Sequence, residues 1–102
     1  MNVNARIKKQ YLDMILRGAK KTEYRDMSEY WTRKLVDTES YKGKDVNDII
    51  QELQSGELKL NKRPITQITF WCNEQKVVYK VLDIIVYKGH KIYAIKLGDK
   101  IS

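Results

Sequence analysis

The sequence is poor in the residues that build covalent or metal frameworks. Its 102 residues include one cysteine, Cys72, one histidine, His90, and one proline, Pro64. A lone cysteine excludes an internal disulfide framework and a Cys-rich zinc site. A lone histidine excludes multi-His metal sites and weighs against a Cys–His catalytic pair. No metal or other cofactor is therefore expected. No internal repeat or low-complexity segment occurs, and Pro64 marks no linker. No stretch approaches the roughly 20 apolar residues of a spanning helix, so no membrane partner is expected. The segment Met1–Arg6 lacks the basic-then-apolar pattern of a signal peptide, which predicts a cytoplasmic protein.

What is present fits one small domain over residues 1–102. Apolar residues make up 42% and charged residues 32%, a balance that is neither disordered nor membrane-embedded. The net charge is +7 and it is uneven, with +5 over residues 1–34, −1 over 35–65 and +3 over 66–102. Basic ends around a neutral middle suit a polyanionic partner, RNA or DNA, and equally suit a lysine-solubilised surface.

Periodicity predicts the order β-α-β-α-α-β-β-β. Val3 to Lys8 alternates as a short strand. Lys9 to Arg17 puts Tyr11, Leu12, Ile15 and Leu16 on one side of a helix that Gly18 stops. Lys20 to Arg25 reads as a strand. Asp26-Met27-Ser28-Glu29 has the form of a capping box opening a helix through Val36, with Tyr30, Trp31 and Leu35 as its apolar stripe. Residues 37–44 read as a polar loop. Asp45 then caps the cleanest amphipathic helix, with Val46, Ile49, Ile50 and Leu53 on one face and Gly56 as its end, and its role is packing. Thr66 to Asn73, Lys76 to Tyr87 and Ile92 to Leu97 read as three consecutive strands. The middle one is apolar on both faces, which predicts a central or strongly curved strand. The sum is an α+β fold, a small curled sheet or partly closed barrel of five strands with two to three flanking helices.

The chemistry concentrates in residues 18–25. On an extended strand Lys21, Glu23 and Arg25 share one face, and Lys20, Thr22 and Tyr24 the other. A carboxylate between two cations could fix them in place, leaving the planar fork of Arg25 for a phosphate or a base edge. The same pattern is also that of an ordinary solvated charge ladder.

The run Tyr11-Leu12-Asp13-Met14-Ile15-Leu16-Arg17-Gly18-Ala19-Lys20-Lys21-Thr22-Glu23-Tyr24-Arg25 resembles the ASCH domain family of the PUA-like superfamily. That family shows a helix, a Gly-x-Lys turn and a strand bearing Glu-x-Arg, here Gly18, Lys20, Glu23 and Arg25. Tyr30-Trp31-x-Arg33-Lys34-Leu35 resembles a continuation found in small bacterial and phage members. Ile68-Thr69-Phe70 and Tyr93-Ala94-Ile95-Lys96-Leu97-Gly98 look similar to the strands that complete the fold. The resemblance covers roughly residues 3–36 and 65–98 and leaves 37–63 unmatched. It implies a PUA-like barrel with a basic cleft beside the Gly-x-Lys turn, and an RNA, nucleotide or nucleoside ligand. Some small members are amidohydrolases that deacylate N4-acylated cytidine with that lysine, a threonine three residues later and a distant glutamate. Lys20 matches the lysine. Glu23 stands where the threonine would be, a departure at a catalytic position, and Glu74 is a candidate stand-in for the glutamate.

Other candidates follow from parity and composition. Thr69 and Trp71 share the polar face of their strand with Gln67 and Asn73, an arrangement that could stack a base or pack against a helix. Tyr30, Trp31 and Arg33 could line the cleft or belong to the core. Cys72 reads as buried filler and His90 as a solvated turn residue. The binding set is thus Lys20, Lys21, Glu23, Arg25, Tyr30, Arg33, Thr69 and Trp71. In the hydrolase alternative Lys20 is nucleophile or general base and Glu23 orients it or shuttles a proton.

Overall fold

The computed structural model describes all residues 1–102. The elements are β1 (Asn2–Arg6), α1 (Lys9–Leu16), β2 (Thr22–Asp26), α2 (Glu29–Leu35), a single 3-10 turn (Thr38–Ser40), α3 (Val46–Ser55), β3 (Gln67–Cys72), β4 (Gln75–Tyr87) and β5 (Ile92–Lys100). The five strands form one curled sheet in the order β1-β3-β4-β5-β2. β1 runs parallel to β3, with Val3 beside Ile68 and Ala5 beside Phe70, and the remaining pairs are antiparallel. The expected α+β class, strand number and order are those observed.

Local chemistry explains most element ends. Asp45 accepts the Asp48 N–H at 2.9 Å and Gly56 closes α3 with φ of +85°, a conformation that suits glycine. Val46, Ile49 and Leu53 are buried, with Ile50 packed beside them. The cap of α2 differs from the expected one. Ser28, not Asp26, accepts the Trp31 N–H at 3.2 Å, because Asp26 is still paired with Ile92 as the last residue of β2. The helix therefore starts at Glu29, and Ser28 is the residue before it. The stripe of α2 is also rotated, since Thr32 and Leu35 are buried while Tyr30 is 60% exposed. Thr32 tolerates burial because its hydroxyl bonds the buried Tyr93 hydroxyl at 2.7 Å.

β4 occupies the centre of the sheet and pairs irregularly with β5. Val77 and Tyr79 are buried on odd positions, and Ile84 on an even one. Register shifts between Tyr79 and Val81 and between Val81 and Asp83 reverse the inward parity. Both apolar faces of the run are therefore used in turn, and Leu82 is left outward at the irregularity, 68% exposed. Gly98 faces it on β5, where an added Cβ would lie 2.9 Å from Leu82 Cδ2.

Buried apolar residues of β1, β3, β4 and β5 and of the three helices form one cluster, to which β2 contributes none. α1 lies on β3, and α3 lies on β4 and α2. The segment that resembled nothing, 37–63, thus supplies a packing helix and its ties. Tyr41 joins the two sides of that segment, its hydroxyl donating to the Lys59 carbonyl and accepting the Asn61 N–H.

Candidate functional site

Curling brings the two edge strands, β1 and β2, towards each other without pairing them. The gap is crossed by Arg25, whose Nη2 donates to the Arg6 carbonyl at 2.8 Å. This seam is where the sequence candidates converge.

The turn after α1 sets the first of them. Gly18 takes φ of +77°, and the Met14 carbonyl accepts both the Ala19 and Lys20 N–H groups at 2.9 and 3.1 Å. The chain is thereby swung round before β2 begins at Thr22. Lys20 lies outside the strand, so strand parity does not govern it. Its Nζ reaches Glu23 Oε1 at 2.8 Å. Arg25 binds the other oxygen, with Nε 3.0 Å from Oε2 and Nη2 on the same atom. Glu23 is only 4% exposed, yet both of its oxygens are satisfied by cations.

The expected carboxylate between two cations exists with one change of partner. Lys20 replaces Lys21, which is exposed and borders a separate hollow with Leu16 and Gly18. The expected free fork of Arg25 is largely spent inside the protein. Nε and Nη2 are committed to Glu23 and Arg6, and the guanidinium stacks 5.0 Å from the Trp31 ring centre. Arg25 is thus a structural hub that leaves little of its fork for a ligand.

Two hollows flank this hub. One, of about 450 Å³, is lined by Lys8, Tyr11, Lys20, Glu23 and Tyr24 among others. The second, of about 470 Å³, is lined by Asn4, Tyr30, Trp71 and Asn73. Arg6, Arg25 and Trp31 border both. Trp71 is 39% exposed, and its Nε1 donates to Asn4 Oδ1 at 3.1 Å. Hence Trp71 belongs to the cleft rather than to a helix interface.

Three expected residues are elsewhere. Arg33 points to the opposite side of α2, bordering a hollow with Thr38 and Tyr41, because only the Tyr30–Trp31 side of that helix meets the seam. Thr69 is buried and donates to Asn2 Oδ1 at 2.9 Å, so it holds β1 against β3 and meets no solvent hollow. Glu74 sits exposed in the β3–β4 turn and borders neither seam hollow. Asn73, beside it, does, at φ of +54°.

The residues that sequence reasoning missed are Asn4, Arg6, Lys8 and Tyr11. β1 alternates outward Asn2, Asn4 and Arg6 with buried Val3 and Ala5, and that alternation was the available signal. Arg6 makes no ion pair within the protein, and neither does Lys8. Every aromatic ring that carries a cation lines one of the two hollows. The pairs are Tyr11 with Lys20, Trp31 with Arg25, Tyr30 with Lys34 and Trp71 with Lys76, at 5.0 to 5.5 Å.

Comparison of the chain with family models, curated proteins and solved structures finds no match. No helix is long and apolar enough to cross a membrane.

Proposed function

We propose that the seam between β1 and β2 binds a nucleobase-bearing anion, RNA or a nucleotide, and that the chain is an ASCH-type domain of the PUA-like kind. The observation that carries this reading is that the rings of all four cation–aromatic pairs line one cleft, together with the cations Arg6, Lys8, Lys20 and Arg25. Rings supply stacking surfaces for bases, and cations supply partners for phosphate. Arg6 and Lys8 have no internal anion to satisfy them and are the natural phosphate contacts, while Lys20 and Arg25 are held in place by Glu23. Lys20, Glu23 and Arg25, three of the four residues of the family resemblance, border the same cleft, and Gly18 shapes the turn that brings Lys20 there.

The test is fluorescence anisotropy of a labelled single-stranded RNA octamer at low salt. Binding is expected, weakened several-fold by Arg6→Ala, roughly the worth of one phosphate contact, and unchanged by the remote Lys100→Ala. Absence of binding, or equal effects of the two substitutions, contradicts the reading.

The Lys20–Glu23 pair supports a second reading, hydrolysis of N4-acylated cytidine. An amine and a carboxylate 2.8 Å apart in a hollow can exchange a proton with a bound amide. Glu23 in the threonine position and the distance of Glu74 from the hollow make it the lesser of the two. Release of cytidine by the wild type and its loss in Lys20→Ala would establish it.

A further inference from the structure

A single nucleoside would occupy only one of the two hollows, and the second is as well built as the first. We infer that the seam takes two consecutive nucleotides of a single strand, one base in each hollow, with the phosphate that links them at Arg6; this rests on the nucleobase reading above.

The hollows are nearly equal, about 450 and 470 Å³, and each falls within the roughly 300–1,000 Å³ typical of ligand pockets. Each has its own ring and its own polar edge. Tyr11 serves the first, beside Lys20 and Glu23. Trp71 serves the second, beside the amides of Asn4 and Asn73. The Asn4 oxygen is held by Trp71 Nε1, which leaves its NH2 to donate to a base edge, and the Asn73 amide can both donate and accept.

Trp71 is the decisive residue. Its indole is 39% exposed, is pinned at Nε1 by Asn4 and holds the Lys76 ammonium over one face at 5.5 Å, so a base would use the other face. It is a surface prepared for a flat guest, and every base has a flat face to offer.

The ridge between the hollows explains the linkage. Arg25 forms that ridge but is locked to Glu23, Arg6 and Trp31. Arg6 borders both hollows, is exposed and has no ion pair, so its guanidinium is the free cation at the crossing point. A phosphodiester joining two seated bases passes beside it. A duplex, whose bases are paired and stacked on each other, cannot supply them.

Competition against the labelled RNA octamer tests this. Adenosine monophosphate and the 5′-phosphorylated adenosine dinucleotide are the competitors. The dinucleotide should displace the octamer at about tenfold lower concentration, the worth of one further stacked base. Trp71→Ala should remove that advantage, so that the dinucleotide competes no better than the mononucleotide. Arg6→Ala, at an exposed side chain whose loss leaves the fold intact, should narrow it as well. Equal potency of the two competitors, or an advantage that survives both substitutions, overturns the two-base site and leaves the one-base reading standing. Failure of the octamer to bind at all overturns both.

Discussion

Arg25 reaches from β2 to the backbone of Arg6 on β1, Nη2 to carbonyl oxygen, at 2.8 Å. These are the two edge strands of the sheet, and this side chain does what a strand ladder would do in a closed barrel. The gap left on either side of it is the cleft. One guanidinium therefore ties the fold and divides the site.

Arg25→Lys should expose that double duty. An ammonium cannot donate in parallel to Glu23 and Arg6 while stacking flat on Trp31. The expected loss is about 1–2 kcal/mol, a fall in melting temperature of roughly 4–16 °C for a domain of this size. Faster amide exchange confined to β1 and β2 would locate the damage at the seam.

Glu23→Gln should cost more than a surface charge would. The substitution leaves the Lys20 and Arg25 cations, each side chain only about one-fifth exposed, without their anion. Removing one partner of a fully buried pair costs about 3–5 kcal/mol, and partial solvation of these cations brings the expectation to roughly 2–4 kcal/mol. Urea unfolding should show a lower midpoint with an unchanged slope. A loss below about 0.5 kcal/mol would mean that the triad behaves as an exposed ion pair.

Tyr93 supplies a test at alkaline pH. Burial pushes its phenol up to about 12, with the Thr32 hydrogen bond acting in the opposite direction. A folded-state value above the unfolded one means that the unfolded chain releases its proton first. The contribution to stability is thus complete below about pH 10 and is lost as pH rises from there towards 12. Tyr93→Phe should flatten that alkaline decline. It should also cost about 1–2 kcal/mol at neutral pH, because the buried Thr32 hydroxyl loses its partner.

What could be read from the chain divides along physical lines. The helix Val46–Ser55 was legible because its cap, its apolar spacing and its terminal glycine are all local. β4 was legible as a central or curved strand. The point where its parity reverses was not, because the register shifts depend on pairing with β5, including the fit of Gly98 against Leu82. Glu23 and Arg25 share a face as alternation requires. Lys20 joined them in place of Lys21 because the Gly18 turn delays the start of the strand, and alternation cannot be counted through a turn. Thr69 is expected in the cleft from strand parity, and Arg33 from its neighbours Tyr30 and Trp31. Their positions follow from the rotation of α2 and from the Asn2–Thr69 bond across the parallel pair, neither of which is local. Alternation turns Arg6 outward, but nothing in that pattern says what it faces until a second edge strand is folded up beside it.

The most direct measurement of whether the seam holds a nucleic-acid strand is the salt dependence of RNA-octamer affinity. Each phosphate neutralised on a single strand contributes about −0.7 to the slope of log affinity against log salt. Contacts from Arg6 and Lys8 should give a slope of about −1.4, brought to about −0.7 in Arg6→Ala. Affinity that is independent of salt, or a slope that Arg6→Ala leaves untouched, would place the binding elsewhere or show that the cleft holds no strand.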